Sequence, residues 1–365
     1  MRILLLTHIT MGYGSPEMLN LYKVLESKGH AVYISDQEDN IRSYYQIDNI
    51  NRFFRRNISK MTPCDATAHR QEMLDFIIKF DPDVLISSFL PFLKDKKFPL
   101  NKAVKRIFYA AEMFNETSYE NIDCLISPNE DRLRLLSGES DITKFVIYNA
   151  PLLSEHRDAD VTKLKNPEVI NILYQGQISK TSGVDILIKA VEKSNHGYLH
   201  LCGDIRDESI LPLIEKLQAA KKLSYHGFLK QKDLDNIRND CHVGFIGWRE
   251  DLSEECMSIK YCCPTKLYDY ISFGMPVIFI KNHALYNWNE SLKFGYPTSK
   301  YSSDTEVSKI IDSIFYNQLE FTKRSKHCLS LYKTLLNYEF QSDSFINYLE
   351  SQTFWNKHAN LLSKC

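Results

Sequence analysis

Cys263-Pro264-Thr265-Lys266-Leu267-Tyr268-Asp269-Tyr270-Ile271-Ser272-Phe273-Gly274-Met275-Pro276-Val277-Ile278 decides the class of fold this chain can adopt. It reads as a loop, a short helix, a glycine stop and a buried strand. Thr265 suits an N-cap, and Gly274 stands where a helix end needs a left-handed residue. Lys266 falls in the first helical turn, where a cation opposes the helix dipole and costs stability unless an anion neutralises it. Asp269 follows three residues later and shares that face. Two readings are open. One is an anion, such as a diphosphate, at the helix N-terminus beside Lys266, with Asp269 accepting hydrogen bonds from sugar hydroxyls. The other is a solvated ion pair between Lys266 and Asp269.

Outward from this stretch, strand-like and helix-like segments alternate. Upstream in the second half come strand Asn171–Tyr174, helix Val184–Ser194, strand Tyr198–Cys202, helix Ile210–Ala220, strand Leu223–Tyr225, helix Gln231–Asn239 and strand Val243–Ile246. The first half shows strands at Ile3–Leu6, Ala31–Ser35, Val84–Ser87, Arg106–Tyr109, Cys124–Ser127 and Val146–Tyr148, with helices at Pro16–Ser27 and Thr67–Phe80. Strands separated by helical patterns imply parallel βαβ units. Residues 149–169 are polar and aperiodic, with Pro151 and Pro167, and mark an interdomain linker. The expected domains are 1–155, a linker at 156–169, a second α/β domain over 170–320, and a helical tail over 321–365.

Composition narrows the function. The 365 residues suit about two domains. Forty-five Lys and Arg against 46 Asp and Glu leave a net charge of −1, which argues against a nucleic-acid partner held by phosphate neutralisation. Nine cysteines without a Cys-x-x-Cys pair suit reduced, buried thiols and a cytoplasmic setting. Met1–Leu6 reads as a first strand, its apolar run too short for a secretory leader. The pairs Asp81/Asp83, Asp158/Asp160 and Asp233/Asp235 fall at a turn, in the linker and at a helix start, so no metal site is expected. Two basic stretches suit solvated faces or peripheral contact with an anionic membrane. One holds Lys94, Lys96, Lys97, Lys102, Lys105 and Arg106. The other holds Arg42, Arg52, Arg55, Arg56 and Lys60, interleaved with Tyr44, Tyr45, Phe53 and Phe54.

Gly176-Gln177-Ile178-Ser179-Lys180-Thr181-Ser182-Gly183 follows the first strand of the second half and opens a helix. Two glycines, three hydroxyls and a lysine can turn backbone N–H groups toward phosphate, and an ordinary strand–helix loop is the alternative.

Together these segments resemble a known family. Tyr174-Gln175-Gly176, Gly183 through Ala190, Leu201-Cys202-Gly203-Asp204, His226-Gly227-Phe228 and Pro264 through Val277 are similar to the nucleotide-binding domain of GT-B glycosyltransferases, in the large retaining group that includes many bacterial polysaccharide enzymes. Phe108 through Phe114, Ile126 through Arg132 and Tyr148-Asn149-Ala150-Pro151 resemble the same group in order and spacing. The resemblance implies an α/β chain of two doubly wound Rossmann-like domains facing across a cleft, with a helical C-terminal tail. It implies sugar transfer from a nucleotide-sugar donor to a glycan or lipid-linked acceptor hydroxyl in cell-surface polysaccharide or glycoconjugate synthesis, without metal or other cofactor, and with retention. The donor-binding positions it implies are Gly12, Gly14, Gly176, Gln177, Lys180, Gly203, Phe228, Thr265, Lys266 and Asp269, the last on the donor ribose. Lys266, beside the leaving phosphates, and Glu112, a carboxylate following a strand on the acceptor side, are the expected catalytic residues. The expected location is cytoplasmic, with peripheral contact at the inner face of a membrane.

Three positions depart from the group's pattern. Gln177 stands where it has arginine, Ser182 where it has lysine, and Tyr261 where it has a second glutamate; Lys180 is the candidate substitute cation. These departures also suit a catalytically inactive sugar-nucleotide-binding partner subunit. A sugar-nucleotide epimerase, whose rate is independent of acceptor, is a further reading.

Overall fold

The computed structural model describes residues 1–6, 16–37, 51–55, 63–88, 90, 93, 104–111, 119–155, 168–249 and 260–351. The chain divides into two compact units, Met1–Asn149 with Tyr338–Cys365, and Ala150–Asn337.

The first unit is built on a parallel sheet of seven strands. These are β1 (Arg2–Leu6), β2 (Ala31–Gln37), β3 (Arg52–Arg55), β4 (Val84–Ser87), β5 (Lys105–Tyr109), β6 (Cys124–Ser127) and β7 (Thr143–Val146), in the order β3-β2-β1-β4-β5-β6-β7. Parallel strands buried on both faces read as continuous apolar runs rather than alternating ones. Ile3, Leu4, Leu5 and Leu6 are accordingly all buried. Lys105, expected on a solvated or membrane-facing surface, is instead buried in β5 and pairs with Asp123 at 3.3 Å. Arg52 and Arg55 belong to edge strand β3, which the sequence pattern did not suggest. Most other residues of the two basic stretches lie outside the described residues.

The second unit carries a parallel sheet of six strands. They are β8 (Ile170–Gln175), β9 (Gly197–Cys202), β10 (Leu223–Gly227), β11 (Val243–Ile246), β12 (Val277–Phe279) and β13 (Gly295–Pro297), in the order β10-β9-β8-β11-β12-β13. The chain steps outward from β8 in one direction as far as β10, then returns to the other side of β8 with β11. The carboxyl ends of β8 and β11 therefore form a topological switch point, the place where open α/β sheets bind ligands. The helix Val184–Lys193 covers this sheet with Leu187, Ile188 and Val191, and the helix Asp304–Tyr316 packs on it.

The helical end of the chain is shared between the units, unlike the single tail expected over 321–365. The helix Gln318–Thr334 belongs to the second unit, where Tyr332 donates to the Leu152 carbonyl at 2.9 Å. The helix Tyr338–Glu350 belongs to the first: Tyr338 donates to the Glu17 carbonyl at 3.0 Å, and the Phe345 and Tyr348 rings lie 5.6 and 5.3 Å from that of Phe145. Among the described residues no helix is long and apolar enough to cross a membrane.

Candidate functional site

Glycine backbones converge at the carboxyl ends of β8, β9 and β10. Gly176 donates to the Cys202 carbonyl at 2.9 Å, and Gly203 donates to the Gly227 carbonyl at 2.7 Å. Gly176 and Gly203 adopt φ of +123° and +135°, a region that side chains disfavour. A Cβ on Gly203 would overlap the Gly176 carbonyl, so these turns can lie this close only without side chains. Phe228, immediately after β10, is 40% exposed beside them.

The loop after Gly176 is shaped by its own hydroxyls. Tyr174 donates to the Gln177 carbonyl at 2.6 Å, while the Ser182 hydroxyl shares its single proton between the carbonyls of Gln177 (3.0 Å) and Ser179 (2.8 Å). Ser182 is thus a buried turn-former, not a group offered to a ligand. Gln177 and Lys180 are exposed. Lys180 lies beside Asp207, whose carboxyl is held below its ordinary range chiefly by the Ser209 hydroxyl, with help from the Lys180 amide and ammonium.

Across the switch point stands the helix Thr265–Ser272. Its N-cap is Pro264, extended at φ −70° and ψ 147°, and no side chain caps it. Thr265 is therefore the first helical residue rather than the N-cap expected from the sequence. Proline is well suited to this boundary but offers no side-chain acceptor, so the first-turn N–H groups keep their partial positive charge. Lys266 adds a full charge there. Its ammonium lies 4.3 Å from the centre of the Tyr174 ring and 5.8 Å from that of Trp248, and 3.2 Å from where a Gly176 side chain would begin. The loop after β8 and the start of this helix, read as separate signals in the sequence, meet at this lysine. Among the described residues the ammonium makes no ion pair.

The Lys266–Asp269 ion pair considered from the spacing is not formed. Asp269 is buried, and its Oδ2 accepts from Arg238 Nη2 and Gln175 Nε2, both at 2.7 Å. Burial raises the Asp269 carboxyl above its ordinary value, opposed by the Arg238 guanidinium and the Gln175 amide. Arg238 also donates through Nε to Gln175 Oε1 at 3.0 Å and through Nη1 to Asp235 at 2.7 Å, with its guanidinium 5.6 Å from the centre of the Phe273 ring. Sequence reasoning missed Arg238 and Gln175. The available signal was a lone arginine near the end of the helix Gln231–Asp240, between Asp235 and Asp240.

Gly12, Gly14 and Glu112 lie outside the described residues. Tyr261 packs edge-on against His283 at 5.4 Å, under the Lys260 ammonium. Among the described residues no cluster of His, Cys, Asp or Glu is arranged to hold a metal ion.

No protein-family model matches the chain, and no curated protein matches it in sequence. Solved structures do match over nearly its whole length. A glycosyltransferase from Rickettsia africae superposes with a TM-score of 0.73 at 15% identity, covering 96% of this chain and 99% of that one. Anabaena Alr3699/HepE, solved with UDP and glucose, gives 0.71 at 13% identity, over 96% of this chain and all of that one (100%). WaaG, a glycosyltransferase involved in lipopolysaccharide biosynthesis, gives 0.62 at 11% identity over 94% and 98%. At such identities the likeness shows the fold: this chain has the GT-B fold, with two Rossmann-like units.

Proposed function

We propose that this chain is a glycosyltransferase that moves a sugar from a nucleotide-sugar donor to a glycan or lipid-linked acceptor hydroxyl, in cell-surface polysaccharide or glycoconjugate synthesis. The observation that carries the reading is the Lys266 ammonium, without an ionic partner among the described residues, at an uncapped helix N-terminus and against the Gly176 turn. A cation and a helix N-terminus aimed at one point favour a diphosphate, and they favour it most as negative charge grows on the departing group. The site thereby supplies the positive charge that a metal supplies in other transferases. Gly176, Gly203 and Gln177 would form its backbone wall, exposed Phe228 and half-buried Thr265 its edge, and Lys180 a secondary cation.

The neighbours support the reading: two are glycosyltransferases and one was solved with UDP and glucose. The remaining parts are carried by the resemblance: retention of configuration, Gly12 and Gly14 at the donor, Glu112 at the acceptor, and a cytoplasmic protein meeting the membrane peripherally. Buried Ser182 and ring-packed Tyr261, where the group has charged residues, favour a second reading, an inactive partner subunit.

Turnover separates the two. The active enzyme releases nucleoside diphosphate from one of the UDP-, GDP- or ADP-sugars faster when a glycan acceptor is added, and Lys266→Ala lowers kcat by about 10²-fold or more. No release from any donor, with or without acceptor, supports the partner subunit. Release that is indifferent to acceptor rejects transfer.

A further inference from the structure

The resemblance places the donor ribose on Asp269 and gives no role to the side chains around it. Those side chains treat the two carboxylate oxygens differently. Oδ2 accepts from Arg238 Nη2 and Gln175 Nε2, both at 2.7 Å, which fills its two lone pairs. Among the described residues Oδ1 accepts from nothing, and it is not one of the buried atoms left without a partner. The Asp269 side chain keeps 10% exposure, that of Arg238 2%. The carboxylate is therefore held by one oxygen and open at the other. Asp269 follows Lys266 by three residues on one helix, so the two share a face, and the Lys266 charge is felt at the carboxyl.

A charged acceptor binds a hydroxyl about twice as strongly as a neutral one, so the open oxygen serves best while the group is ionised. Burial raises the Asp269 carboxyl above its ordinary value. The Arg238 guanidinium opposes this most and the Gln175 amide next, Asp235 adds to the rise, and Lys266 opposes it. Arg238 and Asp235 come from the helix Gln231–Asp240, Gln175 from β8, and Lys266 and Tyr270 from the helix of Asp269 itself. The strands β11 and β12, packed against that helix, carry no titratable side chain. The helix Gln318–Thr334 also packs on it and meets its far end, where Ser325 donates to the Gly274 carbonyl at 2.6 Å. All three guanidinium nitrogens of Arg238 are used, Nη2 on Asp269, Nε on Gln175 and Nη1 on Asp235, and the planar fork fixes direction as well as distance. Buried ion pairs often add little stability over apolar residues of the same volume, so holding the fold is a weak reason for this one.

We infer that Arg238 and Gln175 are positioning residues for Asp269, which hold the carboxylate by Oδ2 and present Oδ1 as the acceptor for a ribose hydroxyl of the bound donor. Arg238 also supplies the counter-charge that the buried carboxylate needs. The inference rests on the proposed donor site and on the ribose position that the resemblance implies.

The test is a calorimetric titration of UDP, GDP and ADP, and of their 2′,3′-dideoxy analogues, into the wild type, Arg238→Met and Gln175→Met, with melting curves alongside. It is run at about pH 6 and about pH 8, on either side of neutrality. The quantity read is the ratio of parent to dideoxy affinity, which cancels whatever affects both ligands alike, titration of the phosphates included. In the wild type the parent is expected to bind about tenfold more tightly at both pH values. In Arg238→Met the ratio is expected to fall to about one at the lower pH and to recover at the higher, because a buried carboxyl without its counter-charge takes up a proton in acid. Gln175→Met leaves the ion pair in place, so it is expected to fold even where Arg238→Met does not, and to lower the ratio about threefold. Folded variants that weaken parent and dideoxy ligands by the same factor keep the wild-type ratio, which makes Arg238 and Gln175 structural residues and overturns the inference. A wild-type ratio of about one, with the parent still bound, overturns it too and leaves the donor site standing. If none of the parent nucleotides binds, the donor-site reading itself fails and takes the inference with it.

Discussion

The Lys266 ammonium stands 3.2 Å from the point where a Gly176 side chain would begin, and 4.3 Å from the centre of the Tyr174 ring. A cation in the first turn opposes the helix dipole by about 0.3–1 kcal/mol, and its ring contacts return about 0.5–1 kcal/mol. The two nearly cancel, so Lys266 has little structural worth. Lys266→Ala is expected to melt within about 3 °C of the wild type. A loss of ten degrees or more in differential scanning calorimetry, about 3 kcal/mol or above, would make it a structural residue instead.

The glycine turns beneath that lysine predict a contrast. Gly203→Ala puts a methyl group into the Gly176 carbonyl, a backbone atom that cannot swing aside, whereas Gly227→Ala meets nothing within 4 Å. We expect Gly227→Ala to cost about 1 kcal/mol, from its backbone conformation alone, and Gly203→Ala about 4 kcal/mol or more. Urea unfolding of the two variants checks the order, and equal costs would mean the turns are looser than described.

The same glycines show how far the sequence could be read. Strands β8 to β12 and the helix Thr265–Ser272 carry their period and their stop signals locally, and the structure reproduces them within a few residues. β13 carries no such signal. Gly295-Tyr296-Pro297 reads as a turn, and is a strand because it pairs with Val277–Phe279 at a sheet edge that tolerates proline. The Lys266–Asp269 pair was the local candidate, but the partner of Asp269 is Arg238, 31 residues away in sequence. Likewise, no local pattern returns the helix Tyr338–Glu350 to the first unit, because its anchor is the Glu17 carbonyl.

In the first unit, Lys105 and Asp123 form a pair with side-chain exposures of only 2% and 10%. Lys105→Met removes the cation and leaves a buried carboxylate behind, which typically costs about 3–5 kcal/mol. The expected result is a large drop in the urea midpoint of that unit. A change below about 1 kcal/mol would show that water reaches Asp123 freely.

Acid should weaken the second unit. Burial, reinforced by the neighbouring His226, lowers His200 from 6.5 to about 4. Burial likewise lowers His242 to about 4. His200 Nδ1 and His226 Nε2 lie 3.2 Å apart, an arrangement that needs at least one neutral nitrogen. Between pH 6.5 and 4 the unfolded chain binds protons that the folded one refuses, so this stability is complete above pH 6.5 and lost as pH falls. The slope is at most about 1.4 kcal/mol per pH unit for each histidine, and smaller for His200, which keeps some water contact. The melting temperature is expected to fall by several degrees from about pH 7 to pH 5, and His200→Gln should flatten that dependence. A flat profile in the wild type would contradict the buried neutral histidines.

The measurement that bears most directly on the whole account is calorimetric binding of UDP, GDP, ADP and CMP to the wild-type chain and to Lys266→Ala. One nucleoside diphosphate should bind the wild type, and Lys266→Ala should weaken it about tenfold or more while the variant stays folded. If no nucleotide binds the wild type at about millimolar concentration, an affinity of only ~4 kcal/mol, the switch point of the second unit is not a donor site.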